Sequence, residues 1–273
     1  MITLLETYTR PPRVSMFGFE IDPLSLDQAV EQIYEWTTWR SHRSRFVVTP
    51  NVDHAVMYQE HASLRAAYEH ASLVLADGMP VIAAARLLGL PIPERVAGSD
   101  LVPELFERAA DHGGLRVFLL GAAPGVATRA ATYIEHHWPS VEVVDTYSPP
   151  LGFEHDAREN ETILAKIARA RPDVLIVGFG APKQELWVDA HRDRIEAAVT
   201  LCVGATIDFL AGEKRRAPVW MRKTGLEWLH RLLSEPKRLF GRYARDAWLF
   251  PRLVFHEWHQ ARDRRSGEVA QPG

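Results

Sequence analysis

Up to about residue 210, short apolar runs rich in β-branched residues alternate with stretches of helical length, and this alternation constrains the fold more than any other feature. The apolar runs fall at 45–48, 73–75, 116–120, 141–145, 174–177 and 199–203, with helix-like segments at 26–39, 100–112, 125–137, 160–171 and 183–195. Runs such as VFLL and VLIVGF lack polar alternation, so both faces of those strands are expected to be covered. Buried strands separated by helix-length segments predict an α/β fold, a mostly parallel sheet with helices on both faces. Ligands of such sheets sit outside the carboxyl ends of the strands, which directs attention to the loops that follow them.

After Phe209 no strand pattern remains. Helical spacing continues, and Pro236 and Pro251 are expected to divide the tail into about three helical pieces. Charge changes at the same place. Residues 213–273 hold 14 Lys/Arg against 7 Asp/Glu, whereas residues 1–212 hold 18 against 28. Four of the eight tryptophans (Trp220, Trp228, Trp248 and Trp258) lie in that basic stretch. A division at Gly212 follows: an α/β domain over 1–212, and a basic, Trp-rich helical appendage over 213–273. Arg231, Arg238, Arg242 and Arg245 would share one face of an uninterrupted helix, although Pro236 falls inside that register. Such a face is either a solvated surface or, with the interleaved aromatic residues, one suited to an anionic membrane. Nucleic acid is the weaker partner, because no aromatic stacking motif of an RNA-binding domain is present.

Nothing approaches the ~18 uninterrupted apolar residues of a bilayer span, so a membrane role would be peripheral. The first residues lack the apolar core of a signal peptide. The single cysteine, Cys202, excludes an internal disulfide framework and fits a reducing compartment.

Five post-strand or turn segments carry candidate chemistry. In ADGMP, Asp77 stands at a strand end before a glycine, where a carboxylate can take a proton from a sugar hydroxyl or merely cap a helix. In VVTPNVDHAV, Thr49 and Asn51 offer hydroxyl and amide groups, with helix capping as the plain reading of Asn51; Asp53 and His54 fall in the next helical turn. In GAAPGVATRAA, Gly121 and Gly125 open a strand-to-helix turn that could cradle a phosphate, without a dinucleotide or P-loop fingerprint. In GFGAPKQELW, Lys183 and Gln184 begin a helix where they could read a sugar or phosphate, Glu185 complementing the helix dipole from a solvated turn. In RVAGSD, Arg95 suits a phosphate. No Asp-x-Asp, zinc spacing, H-E-x-x-H or G-x-S-x-G occurs, so neither a metal site nor a hydrolase nucleophile is indicated.

Together, TPNVDH, LADGMPV, RVAGSDLVPEL, FLLGAAPGVA, GFGAPKQELW, VGATIDFLAGEKRRAP and GLEWLHRLLSEPKRL resemble the WecG/TagA/CpsF glycosyltransferases, glycosyltransferase family 26, in the family's order and over roughly residues 14 to 245. One departure is Ala205, where many relatives carry a second glycine. The resemblance implies a Rossmann-like catalytic domain and an inverting, metal-independent transferase without a cofactor. It would move N-acetylmannosamine, its uronic acid or glucose from a UDP sugar to an undecaprenyl-diphosphate-linked sugar at the inner membrane face, in cell-surface polysaccharide synthesis. It also implies Asp77 as general base, with Thr49, Asn51, Arg95 and Gln184 lining the site and Arg231, Arg238 and Arg242 meeting the lipid diphosphate. Self-association is a further expectation from relatives. The rival from another class is a non-catalytic nucleotide- or nucleic-acid-binding module.

Overall fold

The computed structural model describes residues 11–38 and 43–268. The readings of the first ten residues, of Trp39 at the end of the first expected helix and of residues 269–273 fall outside the described residues.

The chain opens with an antiparallel hairpin, β1 (Val14–Met16) and β2 (Phe19–Ile21), which strand patterning did not reveal. Its two-residue turn puts Phe17 and Gly18 at φ of 56° and 85°, the left-handed pair that matches strand twist. Phe17 is a costly occupant of that region. Burial compensates, since its ring meets that of Phe250 edge-on at 5.2 Å.

There follow α1 (Leu26–Thr38), β3 (Arg45–Val48), α2 (Val52–Glu60), α3 (Ala62–His70), β4 (Leu73–Val74), α4 (Met79–Leu88) and α5 (Gly98–Glu107). After them come β5 (Leu115–Gly121), α6 (Val126–His137), β6 (Val141–Tyr147), α7 (Ala157–Ala170), β7 (Val174–Gly178), α8 (Lys183–His191), β8 (Val199–Cys202) and α9 (Thr206–Leu210). All six expected runs are strands of one parallel sheet, in the order β4–β3–β8–β7–β5–β6. The chain builds β3 and β4 at one edge, crosses to β5 and β6, and then fills the gap with β7 and β8. The strand order therefore reverses beside β3 and β8.

Period-two alternation divides each strand between two apolar layers. Phe46, Val48, Phe118, Leu120, Leu175 and Val177 face the layer of α2, α3, α4, α7, α8 and the hairpin. Val47, Val117, Leu119, Val174 and Ile176 face α1, α5, α6 and α9. Phe118 is wholly buried, and its truncation to Ala is expected to cost about 3–5 kcal/mol.

The tail forms α10 (Val219–Lys223), α11 (Glu227–Ser234) and α12 (Pro236–Glu268). Pro236 begins a helix as expected, but Pro251 does not end one. Phe250 is buried in the first layer, and Leu249, Leu253, Val254 and Trp258 pack against it, so tertiary contact outweighs the lost amide. α12 lies along α2 and α4, and α11 along α12.

Candidate active site

A cleft of about 610 Å³ opens at the carboxyl ends of β3, β4, β7 and β8, with the tail as its far wall. Thr49 and Asn51 enter it after β3, Asp77 after β4, Arg95 from the loop before α5, and Gln184 from the start of α8. Arg231, Arg238 and Arg242 line the same cleft from α11 and α12. Eight of the ten candidate residues thus converge.

Gly121 and Gly125 do not. Gly121 is occupied by packing: a Cβ there would lie 2.7 Å from the carbonyl oxygen of Gly178 on the neighbouring strand. Its turn serves the β5–β7 contact and lies outside the cleft lining. Lys183 also turns away, pairing with Glu154 at 2.6 Å. Ala205 takes a φ of −78° and caps α9, so this turn does not require the second glycine.

Asp77 leaves about a quarter of its side chain exposed in the cleft. Burial pushes its pKa up to about 6; Arg95 and Arg231 pull it down, and Glu227 and Asp100 add to the rise. Arg95 lies among three carboxylates: Nη2 is 2.5 Å from Asp100, and Nη1 is 3.1 Å from Glu227 and 3.8 Å from Asp77. Asp100 in turn takes Arg216 at 2.5 Å and Arg222 at 3.4 Å, joining α5 to the tail. The turn before α11 sits hard on the Asp77 loop: at Gly225, where φ is 78°, a Cβ would be 2.9 Å from that of Met79.

Behind the cleft floor runs a buried polar chain. Asn51 caps α2, its Oδ1 accepting from the His54 backbone N–H at 3.3 Å and lying 3.0 Å from His54 Nδ1. His54 Nε2 is 3.3 Å from Glu185 Oε1, which also accepts from Gln184 Nε2 at 2.7 Å. Gln184 Oε1 accepts from the Gly204 backbone at 3.1 Å. Burial disfavours charge on His54, yet the hydrogen bond and charge of Glu185 raise its pKa overall. Glu185 is fully buried and not a solvated first-turn residue. The chain ties the loops after β3, β7 and β8 together, so Asn51 and Gln184 are held rigidly where they border the cleft.

On the tail side Arg242 pairs with Asp53 at 3.1 Å and Arg238 with Glu235 at 2.6 Å, while Arg231 has no ion-pair partner among the described residues. Arg245 leaves this group and pairs with Glu60 at 2.5 Å. Asp246 is buried, and burial together with the charge of Asp53 pushes it up to about 6. Glu227, Asp246 and the His54–Glu185 pair escaped the sequence reading. Each depends on contacts across the chain, and only the i, i+4 spacing of Arg242 and Asp246 left a local trace.

A cleft at the switch point of a parallel sheet, lined by several carboxylates and several arginines, is suited to a ligand that bears phosphate. The model of the WecG/TagA/CpsF glycosyl transferase family matches residues 14–264, and the chain belongs to that family as a hexosyltransferase. It is similar to the N-acetylglucosaminyldiphosphoundecaprenol N-acetyl-beta-D-mannosaminyltransferases of Staphylococcus aureus strains MW2 and COL. Each is 31% identical over 238 residues, covering 86% of this chain and 90% of the relative.

Proposed function

We propose that this enzyme transfers N-acetylmannosamine from its UDP derivative to an N-acetylglucosaminyl-diphosphate-polyprenol, by a single inverting displacement without a metal. The observation that carries the reading is the convergence of Asp77 with Arg95, Arg231, Arg238 and Arg242 on one cleft. Asp77 takes the proton from an acceptor hydroxyl as that oxygen bonds to the anomeric carbon. The bond from that carbon to the UDP phosphate oxygen breaks, and the UDP leaves as an anion. Guanidinium groups and backbone N–H donors stabilise its charge and that of the acceptor diphosphate. Displacement on an α-linked nucleotide sugar gives a β product, as the names of the staphylococcal relatives specify. Among the described residues no group of three or more His, Cys, Asp or Glu is arranged to hold a metal ion.

The polyprenyl acceptor places the reaction at a membrane. No described helix is long and apolar enough to cross one; the arrangement we favour is docking from the inner face through residues 213–273. Exposed Trp220, Trp228, Phe240, Trp248 and Phe255 on that segment support it.

Incubation with UDP-N-acetylmannosamine and a short-chain N-acetylglucosaminyl-diphosphate lipid should release UDP and yield a disaccharide lipid, β-linked by NMR and formed in excess EDTA. Screening UDP-glucose and the uronic acid alongside tests the donor choice. UDP binding without any transfer would favour the non-catalytic module, and activity abolished by EDTA and restored by magnesium would overturn the metal-free mechanism.

A further inference from the structure

We propose that Glu227, supplied by the tail, is a positioning residue for the catalytic base: its carboxylate holds the Arg95 guanidinium off Asp77, so that Asp77 stays a proton acceptor and is not locked in a closed ion pair. The inference rests on the reading of Asp77 as base. Its geometric core is one nitrogen shared unequally, Arg95 Nη1 lying 3.1 Å from Glu227 and 3.8 Å from Asp77. Glu227 makes a charge-assisted hydrogen bond there, while Asp77 is left beyond hydrogen-bond distance. The other end of the guanidinium is anchored, with Nη2 on Asp100 at 2.5 Å. Arg95 can therefore pivot about Asp100 but is not free to leave. If the charge on Glu227 were lost, Asp77 at 3.8 Å would be the carboxylate beside Nη1 that is not already hydrogen-bonded to Arg95.

Glu227 is well placed for this task. It is the first residue of α11, where a helix N-terminus favours a carboxylate, and the Gly225 turn just before it is pressed against Met79 of the Asp77 loop. The ionisable groups around Asp77 are Arg95 from the loop before α5, Asp100 from α5, Glu227 and Arg231 from α11, and His54 from α2. Arg216 and Arg222 offset Asp100, which leaves Glu227 as the carboxylate whose removal most alters the balance. Removing its charge acts twice in one direction: a nearby anion disappears and a cation moves closer. Both favour ionised Asp77 and make it a weaker base.

The test is a carboxyl 13C NMR titration of the full chain labelled at aspartate. The Asp77 signal is assigned by Asp77→Asn, and that of Asp246, which titrates in the same range, by Asp246→Asn. Glu227→Gln should lower the Asp77 midpoint by about one pH unit, and Glu227→Asp, which keeps the charge, should restore it toward the wild-type value. The acid limb of turnover with UDP-N-acetylmannosamine and the short-chain acceptor should move in parallel. Glu227→Ala carries the same prediction if the amide perturbs the start of α11. An unmoved midpoint in folded Glu227→Gln and Glu227→Ala, even with reduced turnover, would overturn the proposal and leave Glu227 a tether for the tail. Full turnover by Asp77→Asn would overturn the base reading, and the inference with it, whatever the titration shows.

Discussion

On the proposed reading of Asp77 as base, stability and use conflict at a single residue. Its folded pKa of about 6 stands above the ordinary carboxylate value of 3.8, so ionisation is less favourable in the folded state than in the unfolded chain. The sign follows: relative stability from this group is present below about pH 4 and is lost as pH rises through 6. Asp77→Asn is therefore expected to raise stability at pH 8 by about 1–3 kcal/mol in urea unfolding, while turnover falls ~10²–10⁴-fold. In the wild type, turnover should decline as pH drops below 6, because the base is then protonated. The buried His54–Glu185 pair behaves differently. Glu185→Ala would leave buried polar groups of His54 and Gln184 without their partner and is expected to cost about 1–3 kcal/mol, measurable in the same unfolding experiment. Asp77 was legible from its strand-end loop. Glu185 was not, because a helix's first turn usually faces water, and only the fold reveals α2 lying against it.

Among the elements, the sheet was the most legible, since a strand buried on both faces leaves an uninterrupted apolar run such as VLIV at 174–177. The hairpin was hidden because Val14–Met16 and Phe19–Ile21 are three residues each and turn through Phe-Gly in place of a polar turn pair. The course of α12 was misjudged for another reason: a local proline rule was set against the packing of Phe250, Leu253 and Val254. Pro251→Ala should supply the missing amide and raise stability by about 1–3 kcal/mol in thermal unfolding. Gly225→Ala should act in the opposite direction. Its Cβ would meet Met79 at 2.9 Å with a left-handed backbone, so α11 must shift from the Asp77 loop, lowering both stability and turnover. Turnover unaffected by that change would mean the turn does not set the distance between Glu227 and Arg95.

At the scale of the molecule, charge and chemistry are divided unequally between core and tail, but the cleft needs both. On the membrane reading, binding to anionic vesicles should weaken with salt, and Arg252→Glu, remote from the arginines of the cleft, should weaken it further in a co-sedimentation assay. Vesicle binding indifferent to salt would count against an electrostatic contribution. The burial of Leu239 and Phe250 was not legible, because equally apolar neighbours in the same basic stretch, Phe240 and Trp248, are exposed. The edge-on contact between Phe17 and Phe250 has a consequence for how the enzyme is made. These rings lie far apart in the sequence, and synthesis at ~5–20 residues per second delivers the second one roughly ten to fifty seconds after the first. Until then the hairpin turn lacks the partner that compensates for its strained backbone, and Arg231, Arg238 and Arg242 have not reached the cleft. A ribosome-bound chain in which α12 has not yet been made would present the Asp77 loop without its opposing wall.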